Sequence, residues 1–459
     1  MLVLSIITNK RYAKDNYKLF TDINDLTALI DNCGLSVNKE RTMTKMFVMK
    51  RFLGDEYDKY NSIIDKYNLE QNSYINLTAC TSYPFQEVLE VQSMPLSTIP
   101  TEGVRGNRYF PNVESIDEIE DYAEQLALDL FNIPDASYKV NIQPNSGTQA
   151  NQIIYNAILS DGDTVLSLNP KDGGHISHTK LGSRNINVAY YSLDDDLNLD
   201  YSNLEKEIIS LSPNLIIVGA SSYIKEFNYK KIHSITSKYG IPLMADICHS
   251  VLYIMGNCHS TIFPYVDFAT FTMDKLLRGP QGGVIVYKSK YDKQVNLSTF
   301  PKTQGGPNQC GMFAKTMCFL RLHSMDINAY AQNVVNNTKI LINGFQENGI
   351  ETINKGIAHN HIVLIDVSLY GKTGREAEGS LFKNNILVNR NQIPNDKKNA
   401  LTTSGIRIGT VPITNLEYSE NDILCLSQYL SSIIIGTIPK TDILYYLLKK
   451  YHKGINISS

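Results

Sequence analysis

Six short runs of apolar and β-branched residues, separated by helical or polar stretches, occupy residues 164–287. Runs of this length that alternate with helix-length segments are typical of an α/β sheet with mostly parallel strands. We therefore predict an α/β fold built on such a sheet. The predicted strands are Thr164–Leu168, Val188–Ser192, Leu215–Val218, Pro242–Ala245, Phe268–Thr272 and Gly283–Tyr287.

Helical patterns flank this region on both sides. Ser115 and Glu118 have the spacing of a capping box, and apolar residues follow at helical spacing, so we predict a helix from about Ser115 to Phe131. Beyond about residue 325 the pattern changes to a mixture of helices and strands. The predicted elements there are helix Asn328–Asn348, strands His361–Val367 and Ile386–Asn389, and helices Ile423–Ile435 and Asp442–Tyr451.

These patterns divide the chain into three predicted parts. Residues 1–115 are an N-terminal arm, residues 116–320 a large domain, and residues 321–459 a small C-terminal α+β domain. A chain of 459 residues is long enough for two or more packed cores. We expect the arm to pack on a partner subunit and to contribute to a dimer.

The overall charge and the apolar runs exclude several classes of partner. Lys and Arg number 43 and Asp and Glu 46, so the net charge of −3 does not favour a nucleic acid or a membrane surface. No apolar run approaches the roughly 20 residues that cross a bilayer. The opening run Met1–Ile7 lacks a preceding basic region, so we expect a buried strand. Seven cysteines without a CxxC pair are typical of reduced thiols, and we predict a cytoplasmic protein.

Polar residues follow three of the predicted strands closely. Open α/β sheets bind ligands beyond the carboxyl ends of their strands, and Ser221, Asp246 and Lys275 occupy such positions. Lys275 precedes a glycine-rich turn, where backbone can approach a ligand and a lysine can be desolvated. Taken alone, a solvated surface lysine is the commoner case. The other candidates change that balance.

Asp246 ends an apolar run, and a buried carboxylate at this position needs a cationic partner. The pyridinium nitrogen of pyridoxal phosphate is one such partner, because a carboxylate keeps the ring protonated and able to accept electrons. The alternative role for Asp246 is a helix N-cap.

Two glycine-containing segments suit a phosphate and a planar ring. Asn145–Asn151 places small hydroxylated residues before a predicted helix that ends near Leu159, and a helix N-terminus binds phosphate well. Serine and threonine also cap helices that bind nothing. His175 follows two glycines, where its imidazole could stack on a ring or act as an acid or base. An isolated histidine is more often structural.

Six motifs, in their order and spacing, resemble those of serine hydroxymethyltransferases, over about residues 75–430. The resemblance implies fold type I of the pyridoxal-phosphate enzymes, the aspartate-aminotransferase-like fold. That fold has a mostly parallel seven-stranded sheet in the large cofactor-binding domain and a smaller C-terminal α+β domain. The motifs are Asn145–Asn151, Gly173–His175, Asp246–His249, Lys275–Pro280, Gln304–Gly306 and Ser404–Thr410.

The resemblance implies a role for each matching residue around pyridoxal phosphate. Lys275 would form the internal Schiff base, Asp246 would pair with the pyridinium, and His175 would stack on the ring. A homodimer follows, with a tetramer as the alternative, because one phosphate contact would come from a second subunit. The phosphate would be held by Ser146, Gly147 and Thr148, and from the second subunit by Gly305 and Gly306, while Ser221 and His249 would lie near the phenolic oxygen.

The resemblance also implies a small amino acid as the substrate. Arg407 would clamp the substrate carboxylate, because a planar guanidinium supplies a two-pronged donor that a lysine lacks. Glu102 matches the proton-transfer glutamate, and its alternative role is a surface salt bridge. Tyr109, Cys80 and His249 would also lie near the substrate.

The departures from the family pattern cluster on the substrate and folate side. A thiol at Cys80 replaces a serine and is a poor hydrogen-bond donor. Losing an interaction with a charged group costs about 1.5–3 kcal/mol, so a folate-coupled reaction should be weakened. Asn391 and Tyr109 keep the residues of folate-side positions. The replaced residues are a tyrosine by Pro100, a tyrosine by Phe110, a glutamate by Thr81, a histidine by Asp274 and an arginine by Gln281.

These features favour an enzyme that makes or breaks the Cα–Cβ bond of a small β-hydroxy amino acid, as an aldolase or transaldolase. One alternative is a genuine folate-dependent serine hydroxymethyltransferase, which leaves the use of tetrahydrofolate open. Another is a pyridoxal-phosphate decarboxylase or aminotransferase of specialised metabolism. A catalytically silent binding protein is the remaining alternative, against which Lys275, Asp246 and Arg407 argue together.

Two further patterns carry no prediction of a ligand. His175 and His178, and the Cys–His pairs that end at His249 and His259, raise the question of a metal, but neighbours in a strand point to opposite faces, and we predict no metal site. Gly371–Thr373 resembles the end of a phosphate loop, but Asp366 stands where the first glycine of that loop should be, so we predict no nucleotide site.

Overall fold

The computed structural model describes residues 54–96, 99–134, 136–179 and 185–452. The predicted strand Met1–Ile7 and the rest of the first 53 residues of the arm lie outside this part of the chain. The strands are β1 Ile75–Asn76, β2 Gly103–Val104, β3 Asn107–Arg108, β4 Tyr138–Asn141, β5 Thr164–Leu168, β6 Asn187–Tyr191, β7 Leu215–Gly219, β8 Leu243–Asp246, β9 Phe268–Thr272, β10 Gly283–Lys288, β11 Ile362–Asp366, β12 Ile386–Leu387, β13 Asn389–Asn391 and β14 Gly405–Gly409. The α-helices are α1 Asp55–Asn72, α2 Gln86–Gln92, α3 Glu114–Leu130, α4 Gly147–Ile158, α5 Tyr201–Leu211, α6 Tyr229–Thr236, α7 Val251–Met255, α8 Asp292–Leu297, α9 Gln309–His323, α10 Ile327–Glu347, α11 Gly374–Lys383, α12 Val411–Asn415, α13 Glu420–Ile435 and α14 Thr441–Tyr451.

The predicted mostly parallel sheet is confirmed, with seven strands in the order β4-β10-β9-β8-β7-β5-β6. The neighbours β9, β8, β7, β5 and β6 pair in parallel, and β10 runs antiparallel to both β9 and β4. Strands β7 and β9 are buried along their whole length because helices cover both faces. This explains their continuous apolar runs. The carboxyl ends of the parallel strands therefore meet along one edge.

Strand β4 is the member of the sheet that the sequence did not predict. Polar Lys139 and Asn141 alternate with apolar residues in this four-residue strand at the edge of the sheet. The alternation gives no continuous apolar run. Strand β4 nevertheless leads directly to the segment before α4, and so positions that segment at the sheet edge.

Helix α3 begins one residue earlier than predicted, and the predicted capping box at Ser115 is wrong. Val113 is the N-cap and makes no side-chain cap. The first turn is instead held by Asp117, whose carboxylate accepts hydrogen bonds from the backbone N–H of Gly106 at 2.8 Å and from Nε of Arg108 at 2.8 Å. A long-range contact thus replaces the local cap.

A second sheet and a second apolar core lie in the C-terminal part of the chain. Strands β11, β14 and β13 form an antiparallel sheet in that order. The predicted strand Ile386–Asn389 is two strands, because β12 pairs with β1 and β13 pairs with β14. Helix α10 joins the two cores: Val334 packs in the core of the large sheet, and Phe345 packs in the second core. Arg407 on β14 is therefore held firmly relative to the large sheet.

Helix α1 belongs to one compact unit, and Tyr74–His452 form another, which contains the seven-stranded and three-stranded sheets and all of the site residues discussed below. None of the helices within the described ranges is both long and apolar enough to cross a membrane.

Candidate active site

An open cleft of about 580 Å³ lies at the carboxyl edge of the seven-stranded sheet. It brings together seven of the residues singled out from the sequence and adds four others. The seven are Ser146, Gly147, Thr148, His175, Asp246, His249 and Lys275, and the four are Asn151, Ala220, Cys248 and Thr272.

The N-terminus of helix α4 forms one wall of the cleft. Ser146 is the N-cap, and its Oγ accepts a hydrogen bond from the backbone N–H of Gln149 at 3.1 Å. A Cβ atom at Gly147 would stand 2.7 Å from Cγ2 of Thr272, so only glycine fits between the helix and strand β9. Oγ1 of Thr272 is buried and has no hydrogen-bond partner among the described residues. Free backbone N–H groups and an unpartnered hydroxyl are the donors that a phosphate requires.

Asp246 lies at the floor of the cleft as an ionised carboxylate. Its Oδ2 accepts hydrogen bonds from Nδ2 of Asn151 and from Nε2 of His178, each at 2.9 Å. Burial opposes ionisation, but the hydrogen bonds from His178 and Asn151 hold the pKa of Asp246 well below its usual range. The alternative role of Asp246 as a helix N-cap is wrong, because Ser250 is the N-cap of α7. A buried anion at this position suits a cationic ring nitrogen.

His178 and Asn151, the partners of Asp246, were not predicted from the sequence. His178 is fully buried at the end of a short 3₁₀ turn, Ile176–His178, that follows His175. The His175–His178 spacing was visible in the sequence but was weighed only for a metal. The ligand atoms of these two histidines and Asp246 lie within 4.8 Å of one another, although hydrogen bonds to each other and to Ser177 engage them.

His175 faces the cleft as a neutral imidazole. Its Nδ1 accepts a hydrogen bond from the backbone N–H of Ser177 at 3.2 Å and lies 2.6 Å from Oγ of the same residue. Burial lowers the pKa of His175 to about 4, against the opposing charge of Asp246. Because Nδ1 is an acceptor, the proton of the neutral ring is on Nε2. His175 can therefore stack on a ring and donate from Nε2, but it cannot accept a proton there.

Lys275 and His249 meet at the rim of the cleft. Nζ of Lys275 lies 3.4 Å from Nε2 of His249, which follows strand β8 by three residues. Burial, together with the charges of Lys275 and Arg407, holds the pKa of His249 well below its usual range. The imidazole beside the lysine is therefore neutral.

Arg407 is a buried cation in the middle of strand β14. Its Nε donates to Oδ1 of Asn389 at 3.0 Å, and its Nη1 donates to the backbone carbonyl of Ser221. In the described part of the chain no carboxylate lies within 4 Å of it, and Nη2 has no hydrogen-bond partner. The exposed thiol of Cys80 lies close enough to raise the pKa of Arg407, which burial lowers. An unpaired buried guanidinium is suited to a carboxylate ligand.

Ser221 holds two parts of the site together. Its Oγ donates to the backbone carbonyl of Gly173 at 3.2 Å, and its own carbonyl accepts from Arg407. Gly173 has a φ of 102°, which strongly favours glycine. Ser221 thereby links the loop that carries His175 to the arginine. Asn389, the other partner of Arg407, was missed from the sequence, because its contact depends on the pairing of β13 with β14.

A second group of candidate residues lies apart from the lining of the cleft. The backbone N–H of Tyr109 donates to the carbonyl of Glu102 at 3.0 Å, and a Cβ atom at Gly305 would stand 3.4 Å from Oε1 of Glu102. A Cβ atom at Gly306 would stand 3.5 Å from Cγ of the same glutamate. Glu102 makes no ion pair with any residue that the structure describes, so the predicted alternative of a surface salt bridge is not found. These four residues share one surface that does not line the cleft of the same subunit.

Two of the replaced residues, Thr81 and Asp274, and the retained residue Asn391 do not line the cleft. The hydroxyl of Thr81 lies 2.5 Å from that of Thr78, which engages it locally. Asn391 donates to the carbonyl of Gln392. Burial raises the pKa of Asp274, and its Oδ1 is buried without a partner among the described residues.

Comparison with known proteins gives one family. The family model for serine hydroxymethyltransferase matches residues 54–430. A serine hydroxymethyltransferase of Bordetella avium is 36% identical over 360 residues, which cover 78% of this chain and 85% of that protein. Another, of Cupriavidus taiwanensis, is 33% identical over 393 residues, which cover 85% of this chain and 94% of that protein.

Proposed function

The chain belongs to the serine hydroxymethyltransferase family of pyridoxal-phosphate enzymes, and on that premise we propose that it makes or breaks the Cα–Cβ bond of a small β-hydroxy amino acid without using folate. The observation that supports an amino-acid substrate is the state of Arg407. It is a buried guanidinium with a free Nη2 and no carboxylate partner among the described residues. The absence of tyrosine hydroxyl groups at Pro100 and Phe110 supports a reaction that does not use folate.

The residues of the cleft fit the cofactor. Asp246 is an anion suited to the pyridinium nitrogen, His175 is a neutral ring suited to stacking, and the unpartnered hydroxyl of Thr272 suits the phosphate beside Ser146. When bound, pyridoxal phosphate supplies an electron sink for the bond that breaks at Cα. Lys275 supplies the amine that holds it.

The remaining residues orient the amino acid and move its proton. Arg407 binds the carboxylate and so fixes which bond at Cα faces the electron sink. As the Cα–Cβ bond breaks, the β-hydroxyl gives up its proton and becomes an aldehyde. His175 carries its own proton on Nε2 and can only donate there, so we assign proton acceptance to Glu102.

We also infer that the active unit is a homodimer. Glu102 and Gly305 are neighbours on a surface that does not line the cleft of their own subunit. A second copy of the chain that presents this surface to the cleft would add both the proton acceptor and the remaining phosphate contact.

The test is incubation of the purified enzyme with serine and with threonine, with and without tetrahydrofolate, and measurement of glycine and aldehyde. We expect glycine and aldehyde to form together without folate, and added folate to change the rate less than about threefold, since the folate side has lost charged and polar partners. A rate that rises more than about tenfold with folate contradicts the proposal. The Lys275→Ala variant is the control for background.

A folate-dependent serine hydroxymethyltransferase is the second candidate. Tyr109 and Asn391 favour it, because both keep residues of folate-side positions. Release of carbon dioxide or of a keto acid in the same incubations would indicate a decarboxylase or an aminotransferase instead.

A further inference from the structure

A row of buried hydrogen-bonding side chains extends behind Lys275. Nδ1 of His249 lies 3.3 Å from Nε2 of His361, and Nδ1 of His361 lies 3.0 Å from the hydroxyl of Tyr253. Nε2 of His361 also lies 3.0 Å from the carbonyl oxygen of Ala79. His361 and Tyr253 are fully buried, and the rings of His249 and His361 are within 7° of parallel.

The protons in this row can be assigned from the groups at its far end. A carbonyl oxygen only accepts hydrogen bonds, so Nε2 of His361 must carry a proton toward Ala79. Burial lowers the pKa of His361 to about 3, so the ring is neutral and its Nδ1 is an acceptor. Burial raises the pKa of Tyr253, so its hydroxyl keeps the proton that it donates to that Nδ1.

The same logic extends to His249. The proton on Nε2 of His361 is shared between the Ala79 carbonyl and Nδ1 of His249, because both lie within reach. A proton on Nδ1 of His249 would point at that N–H and find no acceptor there. The neutral ring of His249 therefore carries its proton on Nε2, which faces Nζ of Lys275 at 3.4 Å.

We propose that Tyr253 and His361 are positioning residues that hold His249 in the Nε2–H tautomer, with its donor aimed at Lys275. A neutral amine at Nζ can accept a hydrogen bond from this N–H through its lone pair. An ammonium has no lone pair, and its protons repel the N–H. The arrangement thus favours the form of Lys275 that can attack a carbonyl. This inference rests on the proposed role of Lys275 as the reactive amine.

Other titratable groups also face the row. Lys275, Arg407 and His175 act on His249, and Arg407, Lys275 and His259 act on His361. Each of these groups stays in place in the variants below, so its effect is common to all of them.

The test measures how fast Lys275 reacts with acetic anhydride as a function of pH, in the full-length chain freed of cofactor, by mass spectrometry of its peptide. In His361→Leu, His249 can present a lone pair to an ammonium, so the profile should move to higher pH by about one unit. Tyr253→Phe should move it in the same direction by less. His361→Gln keeps an amide donor toward Ala79 and His249 and should restore the original profile.

Tyr191→Phe is the matched control, because the Tyr191 hydroxyl is equally buried but donates to the carbonyl of Ile217, away from the row. Its profile should equal that of the unaltered chain. Identical profiles for Tyr253→Phe and the unaltered chain, or equal shifts in Tyr253→Phe and Tyr191→Phe, would overturn the proposal even if His361→Leu fails to fold. Because labelling does not require turnover, a wrong substrate or a need for folate would leave these outcomes unchanged.

Discussion

The residues that line the cleft and the proposed substrate residues outside its lining differ in how firmly they are held. On the cofactor side, Asp246 accepts two side-chain hydrogen bonds in a buried network, and a Cβ atom at Gly147 would clash. On the proposed substrate side, outside the lining of the cleft, Cys80 is exposed, and Tyr109 is 72% exposed in the single subunit. A change on the cofactor side leaves buried polar groups unpaired, whereas a change on the exposed substrate side does not. We therefore expect the proposed substrate residues to tolerate substitution better than the proposed cofactor residues.

The largest effect is expected for Lys275→Ala, which tests whether the cleft is the site of the reaction. Removing the amine should lower the rate of glycine release by roughly 10⁴-fold or more, as loss of a covalent catalyst does. The urea midpoint should change little, since the lysine is half-buried and, among the described residues, its only hydrogen-bond partner is His249. Activity within tenfold of the unaltered enzyme would show that the cleft is not the site of the reaction.

Arg407→Lys tests whether the buried part of the substrate side behaves like the cofactor side. A lysine lacks the two-pronged donor, so kcat/KM for serine should fall about 100-fold, as expected for a lost charged hydrogen bond of about 3 kcal/mol. Binding of ethanolamine, which lacks a carboxylate, is the control and should stay within about threefold, measured by its effect on the cofactor absorbance. Equal losses for both compounds would mean that Arg407 does not hold the carboxylate.

The pH dependence of the free energy of unfolding tests the state of the buried residue His361. The pKa of His361 is about 3 in the folded chain and near 6.5 when unfolded, so the unfolded chain binds the extra proton. Stability from this group is present above pH 6.5 and is lost as the pH falls. Between pH 7 and pH 4.5 the unaltered chain should lose about 2 kcal/mol more of its free energy of unfolding than the His361→Gln variant does. Urea unfolding at the two pH values measures this difference. An equal loss in both proteins would contradict a neutral buried His361.

The smallest effects are expected on the exposed substrate side. Phe110→Tyr and Cys80→Ser restore the family residues at two positions that the structure leaves exposed. Each should change the free energy of unfolding by less than about 0.5 kcal/mol and together raise any folate-coupled rate by up to about tenfold. A loss of more than about 2 kcal/mol would show that this side is as constrained as the other.

Much of the fold could be predicted from continuous apolar runs. Strands Thr164–Leu168 and Phe268–Thr272 match the prediction to the residue, because a strand covered on both faces reads as a short run rich in apolar and β-branched residues. Edge strand β4 and the N-cap of α3 could not be predicted, because an alternating polar pattern and a long-range contact determine them.

The site residues, like the strands, could be predicted where a local sequence pattern determines them, and not where a long-range contact does. Asp246 and Lys275 could be predicted because they stand at or just after strand ends, a position with a fixed meaning in an open sheet. The partners His178, Asn389 and His361 could not, since they reach residues 68, 18 and 112 positions away, respectively. Only the folded chain brings those side chains together.

The most direct test of the account is to load the protein with pyridoxal phosphate, reduce it with borohydride and locate the cofactor mass on the chain. Lys315 is the natural rival for Lys275, because burial lowers its pKa to about 7, but three backbone carbonyls enclose its ammonium. The account predicts the cofactor on Lys275 and none on the Lys275→Ala variant. A cofactor found on Lys315, or on no lysine, would contradict it.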